Sequence, residues 1–394
     1  MMRALCLTMC LFGAPAIGQE LPRLSLEARQ TGVSGLSSGA FMSVQVHVAF
    51  SEAIIGAGVV AGGPYYCAEG KVLEALFSCM QTDDGGPPVA PLLEAAGGFA
   101  DALLIDPLSG LAGDRVYLFS GTKDDTVTSP AVAAAVEFYT QAGVSPADVK
   151  HVTDVPAGHA FLAPGGPVPC GETASPFISD CGIDQAGDIL QWVHGDLAAP
   201  VEADKDHLIS FDQGFYLTDP AQQEMNTQGF AYVPESCSAG ETCRLHIAFH
   251  GCEQGRAKLG DEYAWTTGYN GWAEANDIVI LYPQALASFT GGNPKGCWDW
   301  WGYGNDQYYT KQAPQIAAVA RMADALGVKL DGDLPICAEY YDFNAVHFAQ
   351  GRAVSCGFSL CAVGSGDDIG SFAGSSVLYE TGVDQFTLNA CALK

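Results

Sequence analysis

Gly35-Leu36-Ser37-Ser38-Gly39 fits the pattern G-x-S-x-G, in which a strand turns sharply into a helix and lifts a serine hydroxyl clear of the backbone. Its glycines stand where a side chain would collide with crossing main chain. The flanks agree. Thr31 to Gly35 predicts the end of a short strand, and Ala40 to Phe50, AFMSVQVHVAF, predicts a mostly apolar, buried helix. A chain with 47 glycines produces such pentapeptides by chance, so the weight falls on the residues downstream of the turn.

Two partners come later in the chain, in the order Ser, Asp, His. Val116 to Ser120 is a β-branched and aromatic run ended by Gly121-Thr122-Lys123-Asp124-Asp125-Thr126-Val127. A strand followed by G-x-x-D-x-x-V puts a carboxylate on the loop at the strand's C-terminal end. Asp124 holds that position, and Asp125 is the competing assignment; an acidic turn or helix cap is the plainer role for either. Val152 to Phe161 then predicts a short extended segment leading to Gly158-His159-Ala160-Phe161. Such a loop lets His159 act as base, with the aspartate fixing its tautomer while Ser37 is deprotonated. His47, His151, His194, His207, His246 and His347 lack that context and are expected to be structural or solvated.

The chain order is unusual. Ordinary α/β-hydrolases place several strands before the nucleophile, one ending in His-Gly, whose loop gives a backbone N–H to the oxyanion hole. Here only about one strand fits ahead of Ser37. The missing parts come late: Cys243 to Phe249 as a strand running into His250-Gly251-Cys252, Thr267 to Asn276 as helix, Asp277 to Pro283 as a buried parallel strand, and Gln312 to Leu326 as an amphipathic helix. Read as 200–330 followed by 30–195, the elements complete one sheet. The expected fold is therefore a circularly permuted α/β-hydrolase, a rearrangement that neighbouring termini make physically reasonable.

Ser34 to Met42, Ala61-Gly62-Gly63-Pro64-Tyr65, His250-Gly251-Cys252, Leu281-Tyr282-Pro283-Gln284-Ala285 and Gly296-Cys297-Trp298-Asp299-Trp300 together resemble the extracellular poly(3-hydroxybutyrate) depolymerases of the fungal single-domain kind. The resemblance spans roughly residues 30–325. It implies Ser37 as nucleophile, Asp124 as carboxylate, His159 as base, the backbone amides of Ser38 and Cys252 as oxyanion hole, and Trp300 as an aromatic wall beside the scissile ester. The departures are the Asp124-Asp125 doublet, Ala40 where that kind has glycine, and a C-terminal extension.

Residues 1–18, with Met1-Met2-Arg3, an apolar run and the small residues Ala14 to Gly18, read as a secretory signal peptide. Residues 19–332 are the expected catalytic domain. The polar turn Asp331 to Pro335 and a rise in cysteine density mark 333–394 as a small disulfide-rich module with a possible role in substrate binding. Of the 14 cysteines, Cys6 and Cys10 leave with the signal. Local spacing suggests the bridges Cys67–Cys79, Cys170–Cys181 and Cys237–Cys243. Cys252–Cys297 would clamp the oxyanion loop to the tryptophan segment. Cys337, Cys356, Cys361 and Cys391 are left to pair among themselves. Most of the module's aromatics are expected to pack inward, a few exposed ones being free to adsorb to polyester.

A net charge of -28 repels nucleic acid and anionic membranes, and no later stretch is apolar enough to span a bilayer. The acidic loops at Asp180 to Asp188, Asp204 to Asp206 and Asp367-Asp368 lack the spacing of calcium loops and read as solvated turns. No metal or cofactor is expected. The expected activity is that of a secreted serine esterase cleaving short-chain polyhydroxyalkanoates through an acyl-enzyme, with water-insoluble polyester or its oligomers as partner. The alternatives are a secreted carbohydrate esterase with the same triad, on acetyl- or feruloyl-polysaccharide, and a non-catalytic binding protein on this scaffold.

Overall fold

The computed structural model describes residues 19–82, 85–217, 224–289, 292–331, 338–357, 359–382 and 385–388. The proposed signal peptide, Cys337, Cys391 and most of the proposed domain boundary lie outside them.

An eight-stranded sheet organises the body of the chain. Its strands are β1 (Leu26–Leu36), β2 (Ile54–Val60), β3 (Arg115–Phe119), β4 (Val149–Val152), β5 (Leu208–Asp212), β6 (Gln228–Tyr232), β7 (Cys243–Phe249) and β8 (Ile278–Tyr282). They lie in the order β4-β3-β2-β1-β7-β8-β6-β5. The six from β4 to β8 in that row are mutually parallel, whereas β6 runs antiparallel to both β8 and β5. Helices cover both faces, so the central strands are near-continuous apolar runs, as burial on two sides demands. β8 is buried at every position.

Register decides where chemistry can occur. Gly35 pairs with Phe249, Leu36 with Val60, Val60 with Phe119, and Phe119 with Val152. The C-terminal ends of five parallel strands therefore fall in one row, and Ser37, His250 and the loops after β3 and β4 emerge together along it. Open α/β sheets place their sites at this edge. The late strand β7 lies directly beside β1, although the chain reaches it some two hundred residues afterwards.

The joined ends are equally informative. The amide of Leu24 donates to the carbonyl of Leu326 at 2.8 Å, at the close of the helix Pro314–Leu326. Arg23 reaches the carbonyl of Asp324 at 2.7 Å. The entry to β1 thus continues from a helix near the far end of the body.

Several sequence expectations are refined. The helix after the serine is α1, Ser38–Ala49, and all twelve of its residues are buried, the polar Ser43, Gln45 and His47 among them each meeting a hydrogen-bond partner. The helix expected over 267–276 is present as Tyr269–Ala275, entered through Gly268 with φ 94°, and a separate short helix, Glu262–Thr266, precedes it. Thr31 to Gly35 does close a strand, β1, which is eleven residues long rather than short. The bridges Cys67–Cys79, Cys170–Cys181, Cys237–Cys243 and Cys252–Cys297 are all present, and Cys356 pairs with Cys361. None of the described helices is long and apolar enough to cross a membrane.

Residues 338–388 build two further three-stranded sheets around a small core of their own, Ala353, Leu360, Ala362, Ile369, Leu378 and Phe386. Tyr340 packs inward against Phe386. More aromatics stay outside than expected. Tyr341 and Phe343, two apart on one strand, are 74% and 64% exposed, and Phe348 and Phe372 meet edge to face on the surface.

Candidate active site

Ser37 sits between β1 and α1 with φ 56° and ψ -121°, a strained conformation for a residue with a side chain and the one a nucleophile turn imposes. Its amide donates to the carbonyl of Val60 at 2.9 Å, and its carbonyl receives the amides of Ala40 and Phe41. Glycine is required on both sides. A Cβ at Gly39 would overlap the carbonyl oxygens of Phe249 and His250, and one at Gly35 would overlap the backbone of Gly39. The neighbouring Ser38 hydroxyl is turned into the interior and meets no hydrogen-bond partner. The two serines are therefore not equivalent: only Ser37 is raised by the turn, while Ser38 offers an amide at the first position of the helix, where no intrahelical acceptor exists.

Asp124 and His159 come from adjacent loops. The Nδ1–H of His159 donates to Asp124 Oδ2 at 2.8 Å, since an ionised carboxylate can only accept. That leaves Nε2 to handle a proton. Both side chains are almost fully enclosed, which strengthens the contact relative to water. Asp124 Oδ1 accepts the amides of Thr126 and Val127 at 2.8 and 2.9 Å, so its second oxygen aims at the ring. Asp125 lies on the surface, so of the two aspartates Asp124 is the one that contacts the ring. The loops are stitched together: Thr122 and Lys123 donate to the carbonyls of Val155 and Ala157. The His159 amide donates to Thr173 Oγ1 at 2.8 Å, and Gly158 donates to the carbonyl of Cys170, whose bridge to Cys181 braces the segment.

The His-Gly-Cys loop packs directly on the serine turn. A Cβ at Gly251 would lie 3.4 Å from Ser37 Cβ. His250 is a latch. Its Nε2 accepts the amide of Ala285 at 3.1 Å, so its Nδ1–H donates to the carbonyl of Gly251 at 2.7 Å. Burial lowers its pKa to about 4, which keeps the ring neutral and the tautomer fixed. Gln254 takes the Gly251 amide on Oε1 at 2.7 Å and donates to the carbonyls of Pro176 and Phe177. With the Gly251 carbonyl drawn toward His250, the trans peptide directs the Cys252 N–H the opposite way. Cys252 is bridged to Cys297, and Trp298 Nε1 donates to the carbonyl of His250 at 3.0 Å.

Trp300 stacks on Phe41 with ring centroids 3.8 Å apart and planes 10° from parallel. Phe41 is four residues after Ser37, so the indole stands over the first turn of the helix that carries the serine. A second apolar surface adjoins it. Val72–Glu74 and the π-helical turn Ala75–Met80 present Val72, Leu73, Leu76 and Phe77 to solvent, Leu73 and Phe77 being 65% and 63% exposed. The Cys67–Cys79 bridge pins this segment, and the carbonyl of Met80 accepts the amide of Thr128, just beyond the Asp124 loop.

Sequence reasoning did not single out Gln254, Thr173, Phe41 or the exposed turn 72–80. The first two act through contacts to distant backbone that no local motif encodes. The third had a signal, a large aromatic in the first turn of the nucleophile helix. The last had one too, in the pairing of Leu73 with Phe77 across one helical turn.

A mostly parallel α/β sheet carrying a strained serine turn at its C-terminal edge is the arrangement of the α/β-hydrolase kind. No protein-family model matches the chain. It is 40% identical over 334 residues to the poly(3-hydroxybutyrate) depolymerase of Delftia acidovorans, covering 84% of this chain and 66% of that one, so it falls just short of two thirds of that relative's length. It is 36% identical over 334 residues to the polyhydroxybutyrate depolymerase of Talaromyces funiculosus, covering 80% of this chain and 92% of that one. Among solved structures, the PHB depolymerase of Penicillium funiculosum superposes with a TM-score of 0.71 at 32% identity, over 78% of this chain and 98% of the other. A serine-to-alanine variant of a PHB depolymerase complexed with an R3HB trimer matches equally well. The chain belongs to the polyhydroxybutyrate depolymerase family.

Proposed function

We propose that this chain is a secreted depolymerase that hydrolyses poly(3-hydroxybutyrate) and related short-chain polyesters by double displacement. Ser37 attacks the ester carbonyl while His159 Nε2 takes its proton; the alcohol leaves with that proton, and water then hydrolyses the acyl-enzyme by the same route. Asp124 holds the imidazole and stabilises its cation. The amides of Ser38 and Cys252 receive the oxyanion. What supports this above all is the enclosed His159–Asp124 contact, on loops at the same sheet edge as the strained Ser37 turn. The bonded approach of Leu24 to Leu326 supports a circularly permuted origin, because it marks where an unpermuted chain would run on. Five described disulfides support export to an oxidising compartment.

The bridge at the oxyanion loop supplies a test of that arrangement. Replacing Cys252 and Cys297 with serine is expected to lower kcat on every ester as well as thermal stability. Replacing Cys356 and Cys361 should leave kcat on a soluble ester unchanged. Equal kcat in both double variants would remove the oxyanion role from Cys252.

For an insoluble substrate, contact outside the cleft matters. Rigid rings and branched chains exposed beside a site adsorb to apolar surfaces. The turn 72–80 beside the cleft, and Tyr341, Phe343, Phe348 and Phe372 on the module formed by 338–388, are the surfaces we assign to the polymer. Leu73→Ser with Phe77→Ser is expected to cut release of soluble products from polymer film by about tenfold, a fraction of what fully burying two apolar side chains is worth because each ring or chain meets the polymer on one side only, while p-nitrophenyl acetate turnover stays level. Trp300→Ala should weaken film and oligomer hydrolysis far more than acetate ester hydrolysis. Clearing of a polymer emulsion set against acetate release from xylan separates this activity from that of a polysaccharide esterase.

A further inference from the structure

The turn that carries Trp300 is wrapped around one carboxylate. Asp299 is only 5% exposed, and its Oδ1 accepts the amides of Gly302 and Tyr303 at 2.8 and 3.0 Å. Oδ2 accepts those of Gly304 and Asn305 at 3.1 and 3.2 Å. The backbone of the same residue is held on both sides. Its amide donates to Gln315 Oε1 at 2.8 Å, and its carbonyl accepts Gln45 Nε2 at 3.1 Å. Gln45 belongs to α1, the helix of the serine turn, and Gln315 to the helix Pro314–Leu326. Asp299 is therefore the point at which the tryptophan segment is anchored to the nucleophile helix. On one side of it in sequence Trp298 bonds the His250 carbonyl, and on the other Trp300 stacks on Phe41.

A buried carboxylate with no counter-ion is costly, and among the described ion pairs none involves Asp299. The titratable groups facing it are the phenols of Tyr303 and Tyr308. A turn that needed only closure could use serine or asparagine. Four converging amides need an acceptor with both oxygens free of hydrogen, and what they hold still is the backbone between the two tryptophans.

We propose that Asp299 is a positioning residue for selectivity: its carboxylate sets the Trp300 wall against Phe41, and so determines how strongly oligomeric esters are preferred over short ones. The proposal rests on Trp300 acting as the wall of the acyl cleft. Burial lifts the Asp299 pKa to about 6 despite the four amides that pull it down. Protonation turns one acceptor into a donor facing N–H groups, so the wall loosens on the acid side. The same shift means that the fold itself is not weakened there. A raised carboxyl pKa favours the folded state below the unfolded value, and that contribution is lost as pH rises through about 6.

The test is the ratio of kcat/KM for a 3-hydroxybutyrate trimer to kcat/KM for p-nitrophenyl acetate, measured between about pH 5 and pH 8, a span that brackets the carboxyl titration. Any pH effect on the shared acyl-transfer step acts on both substrates and cancels in the ratio. In the unaltered enzyme the ratio is expected to fall as pH drops through about 6. In Asp299→Asn, whose NH2 group opposes two of the four amides, it should be about tenfold lower at neutral pH, within the range that a small misplacement costs, and independent of pH. A pH-independent ratio in the unaltered enzyme overturns the loosening of the wall on the acid side. A normal ratio in Asp299→Asn, with Trp300→Ala still lowering it, overturns the positioning role and leaves the wall standing. A normal ratio in Trp300→Ala overturns both.

Discussion

Ser37→Ala is expected to abolish turnover of every ester, by roughly six orders of magnitude in kcat, the scale seen when the nucleophile of a triad is removed. The fold should survive. The turn is held by Gly35, Gly39 and backbone bonds to Val60, Ala40 and Phe41, none of which uses the serine hydroxyl. Adsorption to polymer film should persist as well, because the exposed rings and branched chains are untouched. Ser38→Ala is the control. Its hydroxyl is buried without a partner, so removing it relieves an unsatisfied group and leaves the amide in place; activity should stay within a few-fold and stability should not fall. If Ser38→Ala were dead and Ser37→Ala active, the nucleophile would be the wrong serine.

Asp124→Asn carries the second large effect. The carboxylate makes three described hydrogen bonds, two from its own loop and one from His159. An amide could keep those to Thr126 and Val127, presenting its NH2 to the ring. His159 would then be held with its proton on Nε2, the wrong nitrogen for a base, and kcat is expected to fall by roughly three to four orders of magnitude. Asp125→Asn should be mild, because that side chain stands in solvent. Comparable small losses at both positions, read from kcat on a soluble ester, would place the acid elsewhere.

Much of this was legible in the sequence for a physical reason. The serine turn, the aspartate loop and the His-Gly-Cys loop are short segments in which glycine and strand-forming residues fix local backbone conformation, so their meaning survives without tertiary information. The displaced order of the late strand could also be read, since β7 and β8 are apolar runs that have nowhere to go but a parallel sheet. What could not be read depends on contacts between distant segments. Gln254 acts on Pro176 and Phe177, 78 and 77 positions away, and Gln45 reaches Asp299 across 254 positions. The helix Tyr269–Ala275 starts two residues later than the sequence pattern indicates, because a glycine in the left-handed region ends one short helix and opens the next without interrupting the apolar pattern. The exposed aromatics of 338–388 escaped for a different reason: composition counts rings, but how many of them a core encloses depends on the packing.

The measurement that tests the whole account most directly is a crystal structure of the enzyme inactivated by an aryl phosphonate ester, a mimic of the tetrahedral intermediate. The adduct is expected on Ser37 Oγ, with His159 Nε2 near the leaving-group side. One phosphoryl oxygen should lie about 3 Å from both the Ser38 and the Cys252 amides. That result would join the early serine turn to the late cysteine loop in one oxyanion hole. An adduct on any other residue, or a Cys252 amide more than about 10 Å from the phosphoryl oxygen and so far beyond hydrogen-bond reach, would contradict it.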